Sequence, residues 1–248
     1  MYILLKKNKE LAMVDPINLI TSSIQFDVQR LSTIANNAAN ALTPGFKREF
    51  LSLDGEFNPY VSERASSQPI LAAVVDHQLG IQRQTSNPLD LAILGKGYFE
   101  VSTENGYAYT RQGSFKIDEK GRLVTSLGQL VSGKSGDIYL SEPNPSIDSK
   151  GQVIEKGKII DQIKVMSFDR DDMLAKIGGG LFMKTESAVM HEIDTPILVQ
   201  GSLESSNVDS TQEMVKLMET FRHFETSHKV IQAYDELNDK TLKNLSQF

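Results

Sequence analysis

Residues 128–135 read Gly-Gln-Leu-Val-Ser-Gly-Lys-Ser, GQLVSGKS, and match the phosphate-loop pattern G-x-x-x-x-G-K-[ST]. The fold turns on this stretch. With a strand before it and a helix after it, the chain would be an alternating α/β protein whose loop amides cradle a phosphate. The flanks read otherwise. Leu130 and Val131 occupy the loop positions yet have strand character, and Gly136-Asp137-Ile138-Tyr139-Leu140 after Ser135 reads as a turn and another strand. No helix start follows to receive an anion. Gly128, Gly133, Lys134 and Ser135 therefore belong to a β-hairpin. A P-loop nucleotidase working through Lys134 is the rival enzyme reading, and the surrounding pattern speaks against it.

Working outward, Asn105-Gly106 separates Tyr98–Val101 from Tyr107–Thr110, a strong hairpin signal. Ser114–Ile117 and Arg122–Thr125 are joined by Asp118-Glu119-Lys120-Gly121. Further short strands are expected at Gln129–Val131, Asp137–Leu140, Gln152–Glu155 and Gln162–Phe168, and Gly178-Gly179-Gly180 reads as a bare turn. Residues 81–206 thus form a central, mainly antiparallel β domain. Residues 43–80 read as an extended, loop-rich connector, in which the apolar run Ile70–Val75 suits a strand.

The two ends differ from the middle. Asp15-Pro16 starts a helix, with the Asp as cap and Pro in the first turn. Ile17, Ile20, Ile24, Leu31, Ile34, Ala38 and Ala41 follow at three- and four-residue spacing, broken once by Asp27, until Thr43-Pro44-Gly45 stops the helix. Asn207–Ser210 opens a second long helix. Asp209 or Ser210 is the expected cap, with Glu213 placed for a capping box with Ser210. Its seam runs Met214, Leu217, Phe221, Phe224, His228 and Ile231; Tyr234, Leu237, Leu245 and Phe248 continue it after a shift of register. The fold class is therefore mixed α and β. Residues 15–42 with 207–248 make a coiled-coil-like helical layer around a central β domain. Such slender seams become stable when neighbouring subunits cover their outer faces. Ile17, Ile20, Ile24, Leu31, Ile34, Met214, Leu217, Phe221, Phe224 and Ile231 are the candidate assembly interface. A freestanding binding module or export chaperone with a self-contained helical core is the third reading.

Composition narrows the function. The net charge of −6 over 248 residues leaves no basic surplus for nucleic acid. The absence of Cys removes disulfides, thiolate metal sites and cysteine nucleophiles. No run approaches the ~18 apolar residues of a membrane span, so no direct membrane insertion is expected. The opening MYILLKKNKELAMV lacks the order of a signal peptide. Lys9-Glu10 can be encoded by AAGGAG, a ribosome-binding sequence, shortly before Met13; Met13 is the expected native start, with 1–12 a translated leader. His191-Glu192 lacks the second His of a zinc motif. His223 and His228 point apart on a helix, with His228 a polar position on the seam. Asp169-Arg170-Asp171-Asp172 lacks the spacing of a calcium loop, and no Ser lies in a G-x-S-x-G elbow. No catalytic, cofactor or metal site is expected, and hence no enzyme.

One set of motifs points to a family. Ala35-Asn36-Asn37-Ala38-Ala39-Asn40, followed by Thr43-Pro44-Gly45-Phe46-Lys47-Arg48, resembles the A-N-N-I-A-N…T-P-G-[FY]-K signature of bacterial flagellar rod and hook proteins. The resemblance continues through Asn87–Phe99, Tyr109–Phe115 and Gly121–Thr125, and closes with Gly201-Ser202-Leu203-Glu204-Ser205-Ser206-Asn207-Val208 and Glu213-Met214. Ala38 stands where Ile is usual, and Leu42 where Asn is usual. The resemblance implies a structural, axial subunit of the basal-body rod, the drive shaft that carries torque to the hook. It implies polymerisation through the terminal helices and, as partners, other rod proteins and further copies of itself. It also implies export by the flagellar type III apparatus without a cleaved signal, to the basal body in the cell envelope. The short length, the lack of a large insertion and Arg222-His223-Phe224-Glu225 resemble proximal rod members more than distal rod or hook-type ones.

Overall fold

The computed structural model describes residues 16–52 and 72–245. The leader expected at 1–12, Met13, the Asp15 cap and Phe248 lie outside the described residues. Helix α1 (Pro16–Ala39) is followed by β1 (Glu49–Ser52), β2 (Ala72–Val75), β3 (Gln82–Gln84) and β4 (Leu91–Ile93). Then come β5 (Tyr98–Thr103), β6 (Gly106–Thr110), β7 (Phe115–Ile117), β8 (Leu123–Thr125) and β9 (Leu130–Val131). The second half holds β10 (Ser146–Ile147), β11 (Gln152–Glu155), β12 (Lys158–Gln162), β13 (Val165–Phe168), β14 (Leu174–Gly178) and β15 (Leu181–Lys184). It ends with β16 (Met190–Glu192), β17 (Leu198–Gln200), β18 (Ser202–Glu204) and α2 (Ser210–Leu245). The result is a mixed fold, a central antiparallel β domain with a helix at either end.

The main sheet runs β14-β15-β6-β5-β9-β8-β7, with β13 bridging β5 to β16. Its alternating side chains feed two apolar clusters, because successive strand residues face opposite sides. On β5, Phe99 and Val101 enter a core with Leu91, Phe115 and Val131. Tyr98 enters a second cluster with Tyr109, Phe168 and Phe182. Glu100, buried on the Tyr98 face of β5, is held by Lys164 at 2.9 Å.

The stretch 128–135 is strand and turn. Leu130 and Val131 form β9, between β5 and β8. The Gly133 N–H donates to the Gly136 carbonyl at 2.7 Å, closing a turn. A Cβ on Gly133 would collide with the Asp161 carboxylate, so an acid of the chain itself packs on this loop. The Lys134 ammonium lies 3.4 Å from both Glu192 and Asp194. The segment 137–140, expected as a strand, makes only isolated bridges, Ser132 with Asp137 and Arg122 with Tyr139. Gly178-Gly179-Gly180 turns β14 into β15 with all three φ positive, which only glycine adopts freely. Within the expected connector, β1 pairs antiparallel with β2.

The helices are antiparallel: Asn37 meets Glu213 at one end, and Asp27 meets His223 further along. Asp209, not Ser210, caps α2, its Oδ1 accepting from the Thr211 and Gln212 amides at 2.9 and 3.2 Å. Glu213 does not turn back to form a capping box, because its carboxylate is drawn to Asn37, Arg48 and Lys216. Glu213 and Thr220 are buried, and Phe224, Ile231 and Tyr234 are half-buried at the same helical spacing. Met214 and Phe221, each one residue on and so about 100° round the helix, are 64% and 50% exposed. The expected α2 seam therefore divides: its first half looks outward, while Phe224 and Ile231 are partly covered. His228, expected on that seam, is exposed and stacked on Phe224.

Candidate functional site

The motif residues scattered along the chain converge on one buried polar joint between the helices and the β domain. Its centre is Glu204, at the end of β18, where β3 pairs with that strand. Glu204 Oε1 accepts from Lys47 Nζ at 2.6 Å and from the Gly80 amide at 3.0 Å. Its Oε2 lies 3.4 Å from Arg111 NH1, and all three side chains are at most 3% exposed. Burial pulls the Lys47 ammonium below its usual pKa, and the adjacent Glu204 opposes the shift. Lys47 Nζ also donates to the Gln78 carbonyl at 2.6 Å. Arg111 donates to the Ile93 and Gly95 carbonyls and lies 5.4 Å over the Tyr98 ring.

A second layer ties in the helices. Asn37 closes a two-way bridge to the β1 backbone: its Nδ2 donates to the Glu49 carbonyl at 2.7 Å, and its Oδ1 accepts the Glu49 amide at 2.9 Å. The same Nδ2 reaches Glu213 Oε2 at 3.2 Å. Arg48 Nε donates to Glu213 Oε1 at 2.8 Å. Asn207 Oδ1 accepts the Arg48 amide at 2.7 Å, and Asn207 Nδ2 donates to the Asp76 carbonyl at 2.8 Å. Phe46 is buried beneath Lys176, whose ammonium lies 4.1 Å from the ring centroid and 2.7 Å from Glu49 Oε1. Gly45 is required by a close approach: its amide donates to the Glu204 carbonyl, its φ is +66°, and a Cβ would collide with the Arg111 carbonyl.

The joint accounts for most of the motif residues. Asn37, Gly45, Phe46, Leu203 and Glu204 are buried in or beside it, while Asn207 and Val208 are half-buried. Asn40 accepts from Thr43 Oγ1 and, with Pro44, shapes the exit from α1. The Val208 amide donates to the Ser206 hydroxyl oxygen. Ala35 and Asn36 face outward. Of the candidate interface residues, Ile34 is buried; Ile17, Ile20, Ile24, Leu31, Phe224 and Ile231 are half-buried; Met214, Leu217 and Phe221 are exposed.

Sequence reading left three contributors without a role. His77 Nδ1 lies 2.8 Å from Tyr98 Oη, docking the connector on the second core cluster, and burial lowers the imidazole's pKa. Asp27 looked like a break in the first seam. His223 Nδ1 fills that break at 2.6 Å from Asp27 Oδ2. Arg111 stood in a quoted motif with no stated partner. The Asp27 signal was legible, since a buried acid in an apolar stripe needs a donor from the facing helix.

Comparison with known proteins agrees on a structural class. The family model "Flagellar hook protein FlgE/F/G D1 domain" matches residues 92–159, and "Flagellar basal body rod FlgEFG protein C-terminal" matches 199–244. The chain is 32% identical to the flagellar basal-body rod protein FlgG of Bacillus subtilis (strain 168) over 238 residues, covering 84% of this chain and 90% of that protein. It is 30% identical to the rod protein FlgF of Caulobacter vibrioides, covering 88% and 93%. It is 32% identical to FlgG of Borreliella burgdorferi, covering 84% and 89%. The chain belongs to the flagellar basal-body rod protein family, and is a structural subunit of the basal body that associates with other rod and hook components.

Proposed function

We propose that the terminal helices are the assembly element of this rod subunit and that the joint carries torque between them and the β domain. The observation that carries the proposal is the apolar shoulder of Met214, Leu217 and Phe221, exposed directly beside the joint. Such a patch on a protein that works in a polymer is a contact surface. The helices of adjacent subunits then cover it as a coiled-coil-like inner tube, with residues 81–206 as an outer collar. A joint built from buried, charge-assisted hydrogen bonds is stiff, which is what a drive shaft needs. Export by the type III apparatus without a cleaved signal, with the helices completing their order on arrival, fits ends that need neighbours. Short length and the Arg222-His223-Phe224-Glu225 stretch favour the proximal part of the rod.

The test is substitution on the exposed shoulder. Phe221→Asp, and Leu31→Asp on the facing seam, are expected to abolish rod assembly and motility while near-UV circular dichroism of the β domain is kept. A motile strain with full-length rods would sink the proposal. Microscopy of basal bodies from a deletion strain then locates the subunit, with growth expected to halt in the proximal rod.

A further inference from the structure

We propose that a second copy of this chain inserts the acidic end of its α2 into a cationic groove between α1, β1 and the start of α2. The inference rests on the rod reading above and names the occupant of one subunit contact. The groove is a cavity of about 400 Å³ lined by Phe26, Arg30, Arg48, Phe50, Leu51 and Lys216, among others. Phe26, Phe50 and Leu51 supply apolar surface, while the three cations supply charge. Arg48 and Lys216 share one carboxylate, Glu213, which is 2% exposed. Glu49, which also borders the groove, is held by Lys176 at 2.7 Å. Arg30 has no ion pair among the described residues. The groove therefore carries a surplus of positive charge over an apolar floor, and an occupant must be acidic and apolar on one face.

The far end of α2 has that face. At 100° per residue, Asp235, Asp239 and Leu242 fall within an arc of about 60° on the helix, and Lys240 and Lys243 fall outside it. Leu242 is 66% exposed, and Asp235 and Asp239 are exposed with no ion pair among the described residues. The two surfaces cannot meet within one molecule. From Lys216 to Asp239 the helix rises about 35 Å, at ~1.5 Å per residue. The contact joins two different surfaces at opposite ends, so each copy that docks leaves a groove and a tip free, and the chain of contacts adds copies head to tail.

The absence of Cys makes the contact directly readable. A purified Thr33→Cys chain, mixed with a Leu242→Cys chain and oxidised at high concentration, is expected to give a mixed disulfide dimer. Adding Asp235→Lys/Asp239→Lys to the tip copy should cut the yield about tenfold, and Arg30→Glu on the groove copy should restore it. The same pair of substitutions within one chain is expected to cross-link neighbouring copies in isolated basal bodies. Basal bodies that contain the chain but no such cross-link, a cross-link indifferent to the charge changes, or capture of a different protein by the groove thiol would overturn the contact while leaving the rod reading intact. A charge-dependent cross-link in a chain missing from basal bodies would uphold the contact and sink the rod reading.

Discussion

Glu213 keeps its charge inside the joint because three donors meet it there. Burial pushes its carboxyl up, but hydrogen bonds from Asn37, Arg48 and Lys216 outweigh that and hold it below its ordinary 4.5. A depressed carboxyl contributes stability that is present above the unfolded value and lost as pH falls through the folded one. Acidification below about 4.5 should therefore loosen the start of α2, and Glu213→Gln should flatten that response; amide exchange of residues 210–220 against pH reads both. At Glu204 the concern is what a loss would strand. Glu204→Ala leaves Lys47 and Arg111 buried without a counter-charge, and should cost about 3–5 kcal/mol in denaturant unfolding. A comparable cost from Glu204→Gln, which keeps an acceptor but no charge, is expected if the counter-charge is what matters; a negligible cost would assign the loss to hydrogen bonding instead. The sequence pattern marked these residues as a motif, yet held no pairing for them. Lys47 and Glu204 are 157 positions apart, and their segments are joined by the Gly45 amide donating to the Glu204 carbonyl and the Arg48 amide donating to Asn207.

Between the helices, Asp27 and His223 make a polar pair, as Asn37 and Glu213 do nearer the joint. Only Asp27 of the Asp27–His223 pair is buried: its side chain is 3% exposed and that of His223 60%, so the imidazole side of the bond is open to solvent. Asp27→Leu with His223→Leu should change the protection of α1 amides by no more than about 1 kcal/mol, measured by hydrogen exchange; a larger fall would show that the pair is a net anchor. Both helices were legible from capping residues and three-four spacing, and β5–β9 from turn chemistry and strand residues. The division of the α2 stripe was not. Periodicity shows that Met214 and Phe224 share a broad apolar arc, but which shoulder faces α1 is set by Glu213 and Thr220, a charged and a polar residue. The segment 137–140 went the other way: its Ile138 and Leu140 are buried like strand residues, yet its backbone makes only isolated bridges.

Over the whole molecule, the two apolar clusters lie almost wholly within 81–206, whereas the helices lean on each other and on the joint. Residues 81–206 alone should therefore fold cooperatively with native-like β circular dichroism, while a chain lacking them should not keep the helix pair. A featureless, non-cooperative fragment would contradict this. The joint also draws its members from both ends of the chain, Gly45–Arg48 from one and Glu204–Glu213 from the other. A polypeptide that emerges first residue first cannot close it until almost everything has arrived. A product cut short before Glu204 therefore keeps Lys47 and Arg111 without the carboxylate they share, and the joint stays open.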